Sequence, residues 1–171
     1  MAARALIVEQ ADHIAREHAL GGQAVKFSCL QMMVCGMGHG GRPHAPLLST
    51  LRRAAASVRA AGVEVGFDRF VTLRAGGNSH ALVLRAMPRA GFALRALRTA
   101  IGRAQYVQGL PLPDASRFEA HVVVRRVPRP LAGEIAIGPV AWRAGEFVLV
   151  RSLTGRGVHE VVERWPLVDA A

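Results

Sequence analysis

Cysteine is scarce in this chain, and its two cysteines form no pattern that indicates a disulfide or a metal site. Cys29 and Cys35 lie six residues apart in what is predicted to be a strand. At a rise of about 3.3 Å per residue, their Cα atoms would lie about 20 Å apart, beyond disulfide reach. No Cys and His residues have the spacing of zinc ligands. We therefore predict two free thiols, no metal and no cofactor.

Long hydrophobic runs are also missing. The longest stretch without a charged residue runs from Phe27 to Gly41, and it is too short and too rich in glycine to cross a bilayer. Glu9 and Asp12 interrupt the first apolar segment, so the start of the chain is unlike a secretory signal. These absences predict a soluble, cytoplasmic protein with no membrane partner.

Lysine is nearly absent, whereas arginine is abundant. The chain has 22 basic and 12 acidic residues, a formal net charge of +10, and Lys26 as its one lysine. Such an excess of positive charge favours polyanionic partners such as nucleic acids. The arginines are spread along the chain, however, and together with abundant Ala, Gly and Val they also fit the codon bias of a GC-rich genome. Charge alone therefore leaves two interpretations open: nucleic-acid binding, or an ordinary soluble surface.

The length of 171 residues predicts a single domain spanning residues 1–171, and we expect a monomer. Apolar residues at helical spacing predict helices over residues 2–20, 46–62 and 91–105. Alternating apolar and polar residues predict strands over residues 27–34, 63–73, 81–86, 121–127, 141–152 and 158–165. Short turns join several of these strands as hairpins, so we predict an α+β protein with largely antiparallel sheets.

A glycine-rich loop from Gly36 to Gly41 follows the first predicted strand and satisfies the pattern G-x-G-x-x-G. In dinucleotide-binding proteins the last glycine of this pattern opens a helix, whose free N–H groups hold the pyrophosphate. Here residues 42–46 intervene before the next predicted helix, and the predicted hairpins do not suit a parallel sheet. We therefore interpret the segment as a flexible loop and keep dinucleotide binding as the less favoured alternative.

Four segments of the chain carry a resemblance to a known family. The most specific is the C-terminal pair formed by residues 146–153 (EFVLVRSL) and 159–167 (HEVVERWPL). Residues 118–124 (FEAHVVV) match the second of two H-x-T-φ motifs, in which φ is an apolar residue. Residues 67–84 are similar to the hairpin between the motifs, and residues 16–20 to the end of the first helix. Taken together, these segments resemble the 2'-5' RNA ligase family of the 2H phosphoesterases over most of the chain.

The resemblance implies a two-lobed fold in which antiparallel sheets form a central cleft and helices pack outside. In the family, each of two facing sheets carries one motif, so two histidines and two threonines meet in the cleft. One imidazole takes a proton from water, the other gives a proton to the departing ribose oxygen, and the hydroxyls hold phosphate oxygens. The implied substrates are RNA or nucleotide phosphodiesters.

Three of the four groups that the family places in the cleft are missing here. Gln31 stands where the first motif has histidine, and Met33 where it has threonine. His121 matches the second histidine, but Val123 replaces the second threonine. Glutamine does not relay a proton near pH 7, and the loss of one general acid or base costs about 10²–10⁴ in rate. We therefore predict that His121 is catalytic, that the other three line the substrate site, and that catalysis is impaired.

Residues outside the motifs are also candidates for the site. Arg125 follows Val123 by two residues, so strand parity predicts that it points into the cleft with His121 and binds a phosphate. Four further histidines fall in predicted loops or hairpins and are interpreted as surface residues: His39, His44, His80 and His159.

The amino-terminal end departs from the family pattern. Members of the family begin with a strand before the first helix, whereas the first helix predicted here starts at residue 2. Either the sequence starts late, or one lobe lacks that strand.

Two functions follow from this resemblance. The first is a 2'-5' RNA ligase or RNA 2',3'-cyclic phosphodiesterase that acts on RNA or nucleotide phosphodiesters with impaired catalysis. The alternative is a non-catalytic descendant of the family that binds RNA or a nucleotide in the same cleft. Hydrolysis of a 2',3'-cyclic nucleotide that depends on His121 distinguishes the first from the second.

Overall fold

The computed structural model describes residues 2–36, 44–112, 118–153 and 158–168. Within these ranges it contains three α-helices, α1 (Ala2–Glu17), α2 (Ala45–Ser57) and α3 (Pro88–Val107). The strands are β1 (Gln23–Ala24), β2 (Val63–Arg74), β3 (His80–Ala86), β4 (His121–Val127), β5 (Ile135–Ala144), β6 (Glu146–Leu153) and β7 (Val158–Pro166). A short 3-10 helix (Phe27–Cys29) follows β1. The predicted α+β class is confirmed.

Five of these strands form one antiparallel sheet in the order β1-β4-β3-β2-β5. β2 and β3 form the hairpin predicted from the sequence, and β4 pairs with β3 on one side and with β1 on the other. Every strand pairing in the described chain is antiparallel. A dinucleotide-binding fold requires a parallel sheet, so the sheet argues against that alternative. Most of the glycine-rich loop, residues 37–41, lies outside the described residues.

The two faces of this sheet carry different clusters of apolar residues. The larger cluster joins β2, β3 and β4 to the inner faces of α1 and α3, and its members include Ile7, Ile14, Phe67, Phe70, Leu82, Leu84, Leu94, Leu97, Val122 and Val124. The smaller cluster consists of Val71, Ala81 and Val83, with Leu73, Ala75 and Val123 packed against it. No helical residue belongs to the smaller cluster. Helices α1 and α3 therefore pack on one face of the sheet, and the motif position Val123 lies on the other.

Helix α1 is shorter than its predicted span. Ile7, Ala11 and Ile14 are buried as the apolar spacing predicts, but the helix ends at Glu17. The chain then reverses through Gly21 and Gly22, whose φ angles of 65° and 77° lie in the left-handed region that favours glycine. No helix in the described part of the chain combines the length and the apolar character needed to cross a membrane.

The C-terminal hairpin is a separate two-stranded sheet of β6 and β7. Phe147 and Trp165 lie opposite each other, with their ring centroids 5.5 Å apart. The predicted strand over residues 141–152 is wrong in its first part, because residues 141–144 belong to β5, which pairs with β2. β5 lies at the edge of the larger sheet, where Pro139 does not need to donate a hydrogen bond to a neighbour.

Candidate functional site

The first motif segment is not the strand that the sequence predicts over residues 27–34. The structure has a 3-10 helix at Phe27–Cys29 and a single antiparallel bridge between Met32 and Val122. The chain advances eight residues from Ala24 to Met32, whereas β4 advances only three residues from Arg125 to Val122. The five excess residues cannot pair with β4, and the 3-10 turn accommodates them.

The bridge nevertheless brings the two motifs side by side. Continued by one residue in each direction, its register places Gln31 next to Val123 and Met33 next to His121. Burial alternates accordingly, because Leu30, Met32 and Val34 pack against the larger cluster, whereas Gln31 and Met33 are exposed. On β4, Val122 and Val124 are buried in that cluster, and His121 and Val123 lie on the opposite face. The four motif positions therefore share one face.

His121 is oriented by a backbone hydrogen bond. Its Nδ1 lies 2.8 Å from the carbonyl oxygen of Glu119. Because a carbonyl oxygen only accepts, Nδ1 carries the proton in this bond, and Nε2 of the neutral ring is left as the acceptor. This tautomer suits a general base that takes a proton at Nε2.

Sequence reasoning missed two arginines in the same row of the sheet. Arg85 on β3 lies directly opposite His121, and Arg69 on β2 lies directly opposite Arg85. Residues directly opposite each other on antiparallel strands share a face. The sequence did contain a signal for Arg85, because this arginine stands near the end of the otherwise apolar strand predicted over residues 81–86.

Carboxylates hold both arginines. Glu134 binds Arg85 at 2.5 Å and Arg69 at 3.1 Å. Asp68 binds Arg69 at 2.8 Å, and Glu119 binds Arg85 at 3.4 Å. We call these five residues the arginine–carboxylate cluster. Its two positive and three negative charges mean that a phosphate reaching Arg85 competes with a carboxylate.

The cluster predicts a pH dependence of stability. Hydrogen bonds from Arg69 lower the pKa of the Asp68 carboxyl below its ordinary value. The pairing of Asp68 therefore stabilises the fold above pH about 4, and this contribution is lost as the pH falls through the lowered pKa. We expect Asp68→Asn to lower the melting temperature slightly at pH 7 and to have a smaller effect near pH 3. Thermal unfolding at both pH values tests this, and an equal loss at the two values would contradict it.

The structure contradicts the orientation expected for Arg125. The register between β3 and β4 shifts between Leu82 and Val83, so Val124 is an extra residue and the simple alternation from His121 to Arg125 is broken. Arg125 instead binds Asp12 of α1 at 2.6 Å and the carbonyl oxygens of Gly21 and Gly22. Its guanidinium links β4 to α1, so Arg125 does not join His121 in the candidate site.

The two cysteines flank the first motif segment. No disulfide joins Cys29 to Cys35, and burial raises the pKa of the Cys35 thiol, with Arg98 opposing that shift. Arg98 of α3 donates a hydrogen bond to the carbonyl of Val34, which fastens the first motif segment to the helix. No group of three potential metal ligands occurs among the described residues.

The other histidines have varied environments. His44 caps α2, because its Nδ1 accepts a hydrogen bond from the backbone N–H of Leu47 at 3.1 Å. His80 begins β3, and His159 lies on β7 opposite Ser152. His39 lies outside the described residues.

Comparison with known proteins shows the fold. No protein-family model and no curated protein sequence match the chain. A structure described as a phosphoesterase matches with a TM-score of 0.72 and 20% identity, over 96% of this chain and 93% of that chain. E. coli LigT complexed with ATP matches with a TM-score of 0.71 and 19% identity, over the same shares of the two chains. E. coli LigT complexed with 3'-AMP matches with a TM-score of 0.68 and 20% identity, over 95% and 92%. The chain thus has the fold of the LigT phosphoesterase structures.

Proposed function

We propose that this protein is a degenerate member of the 2'-5' RNA ligase family that binds RNA or nucleotide phosphodiesters and hydrolyses them poorly. The observation that supports this best is the bridge between Met32 and Val122. It brings together, in a LigT-like fold, two segments that are distant in the sequence and resemble the family's two motifs. Gln31 and His121 then take the positions of the two histidines, and Met33 and Val123 the positions of the hydroxyls.

Hydrolysis of a 2',3'-cyclic phosphate requires two proton transfers. Water forms a new bond to phosphorus and gives up a proton, while the bond from phosphorus to one ribose oxygen breaks and that oxygen gains a proton. His121 supplies one of these transfers through Nε2. Gln31 supplies neither, so solvent must carry the second proton, and the rate falls by about 10²–10⁴.

Nucleotide binding depends less on the missing groups than hydrolysis does. The LigT structures include complexes with ATP and with 3'-AMP. In this chain we propose that a nucleotide phosphate binds near His121, with Gln31 donating from its amide and Arg85 supplying positive charge. Arg125 is already held by Asp12, so the proposal does not depend on it.

Calorimetric titration with 3'-AMP tests the proposed site. We expect Arg85→Ala to weaken binding about tenfold, because it removes a charged hydrogen-bond donor beside His121. Arg143→Ala is the matched control, because Arg143 also pairs with a carboxylate, Glu64, at 3.4 Å. Equal affinities for the Arg85 and Arg143 variants would rule out this site.

Removing the competing carboxylate is expected to have the opposite effect. Glu134→Gln removes the one carboxylate that both arginines of the cluster share, so we expect 3'-AMP to bind about two- to fivefold more tightly, because one exposed ion pair contributes about that much free energy. Glu64→Gln, which frees Arg143 in the same way, is expected to leave the affinity unchanged. Weaker binding by the Glu134 variant would show that the phosphate does not approach these arginines.

A hydrolysis assay separates the enzyme from the non-catalytic alternative. If the chain retains catalysis, it converts 2',3'-cyclic AMP slowly and His121→Ala abolishes that conversion. If the chain binds 3'-AMP but hydrolyses the cyclic nucleotide no faster than the His121 variant, the non-catalytic alternative is correct. The absence of both binding and hydrolysis would contradict both functions.

A further inference from the structure

Helix α3 has an unusually basic outer surface. Neither α2 nor α3 contains an aspartate or glutamate, whereas α3 alone carries four arginines. Arg89, Arg95 and Arg103 are exposed, and in the described part of the chain no carboxylate pairs with any of them. Within the described residues this positive charge therefore has no carboxylate partner, in contrast to the arginine–carboxylate cluster.

Two aromatic side chains stand among these arginines. Phe92 is 77% exposed and Tyr106 is 66% exposed, although aromatic residues are only 5% of the chain. One exposed stripe runs along the helix at intervals of three or four residues and consists of Arg89, Phe92, Ala96, Thr99, Arg103 and Tyr106. The stripe covers about 21 Å from Phe92 to Tyr106 at 1.5 Å per residue. We call it, together with Arg95, the α3 stripe.

The α3 stripe is continuous with the candidate site at one end and with α2 at the other. A shallow depression at the start of α3 is lined by Arg85 and Glu119 as well as by Phe92 and Arg95. Arg85 is the direct neighbour of His121 on the sheet. Near the other end, Arg53 of α2 donates a hydrogen bond to Gln108 at 3.2 Å, which places another exposed arginine beside the C-terminal end of α3.

We infer that the α3 stripe binds a single-stranded polynucleotide. Its phosphates would pair with Arg89, Arg95 and Arg103, and its bases would stack on Phe92 and Tyr106. Unneutralised arginines interleaved with exposed aromatic rings are the features by which proteins bind single strands without reading their sequence. This inference goes beyond the nucleotide site, because a mononucleotide bound near His121 does not span the helix.

A basic helix with exposed aromatic residues could instead bind the surface of an anionic membrane. Helices that lie in membranes insert an apolar face. In α3 that face is already buried in the protein core, through Leu94, Leu97 and Ile101. The outer face has two isolated aromatic residues between arginines and small residues, which suits stacking on separate bases better than insertion into a lipid layer.

Fluorescence anisotropy with labelled dodecamers of uridylate and thymidylate tests the inference. We expect Phe92→Ala and Tyr106→Ala each to weaken binding about tenfold, because each removes one stacking platform. Arg89→Ala and Arg103→Ala are each expected to lower the slope of log affinity against log salt by about 0.7. Tyr106→Phe keeps the ring and is expected to bind like the unmodified protein.

Matched controls come from α1. Arg4→Ala removes an exposed arginine, and Leu6→Ala removes an apolar side chain that is 41% exposed. Both are expected to leave dodecamer binding unchanged, and thermal unfolding shows whether each variant is folded. Losses of dodecamer binding in the α3 variants with unchanged 3'-AMP binding would support the inference, whichever dodecamer binds. Equal effects of the α1 and α3 variants, or binding to phosphatidylserine vesicles in place of dodecamers, would overturn it.

Discussion

The triple substitution Gln31→His, Met33→Thr and Val123→Thr is expected to increase kcat/KM for 2',3'-cyclic AMP by about 10²–10⁴, the contribution of one general acid or base. Histidine at position 31 supplies the proton transfer that glutamine cannot make. Threonines at positions 33 and 123 add hydroxyl donors next to His121 and next to position 31. The assay is steady-state hydrolysis of the cyclic nucleotide by the substituted and unmodified proteins.

Partial substitutions show which group is limiting. Gln31→His alone is expected to give most of the increase, because it restores the missing proton transfer. Gln31→Asn is the matched control, since it changes the side chain without adding a titratable group. Adding His121→Ala to the triple substitution is expected to remove the increase. A triple variant that folds but shows no increase would contradict the proposed site.

The substitution Gly22→Ala is expected to destabilise the fold by about 2–5 kcal/mol. This free energy is the sum of two costs, that of an overpacked contact and that of holding a residue with a Cβ atom in the left-handed conformation. A Cβ atom at this position would overlap the carbonyl oxygen of Arg126 and approach the Cα atom of Val127. These are backbone atoms of β4, so no side-chain rotation relieves the overlap. Chemical denaturation, followed by circular dichroism, measures the loss.

Gly21 provides the matched control for this prediction. It also has a positive φ, but a Cβ atom there would meet nothing within 4 Å. Gly21→Ala therefore carries only the conformational cost, about 1–2 kcal/mol. The difference between the two variants measures the close approach of Gly22 to β4, and an equal loss in both would contradict that packing.

The elements that sequence patterns predicted well depend on local signals. β4 begins at His121 and ends at Val127, as predicted, because Val122 and Val124 face the core at alternate positions. The hairpin of β2 and β3 was predicted because Gly76 and Gly77 favour a turn, and both have positive φ angles. The family resemblance correctly indicated a LigT-like fold, and the structure places its four motif positions on one face.

The failures arise from pairing between distant segments. Residues 27–34 alternate like a strand, but the register that β1 and Met32 adopt against β4 leaves five residues without partners. Arg125 has the parity of His121 in the sequence, but the extra residue Val124 breaks that parity through a register shift against β3. Arg85 belongs to no motif, and its position opposite His121 follows from the pairing of β3 with β4, which the sequence alone does not show.

The central claim is that the two degenerate motifs lie side by side, with Gln31 next to Val123. The most direct test is disulfide formation in the variant Gln31→Cys/Val123→Cys, in a Cys35→Ser background, after mild oxidation and mass spectrometry. Neighbouring positions on paired antiparallel strands have Cα atoms about 4.5–5.5 Å apart, within disulfide reach. The control Gln31→Cys/Arg126→Cys moves the second cysteine about 10 Å along β4, beyond that reach. A disulfide in the first variant and none in the control is the predicted result. Free thiols in the first variant, or equal oxidation of both, would contradict the claim.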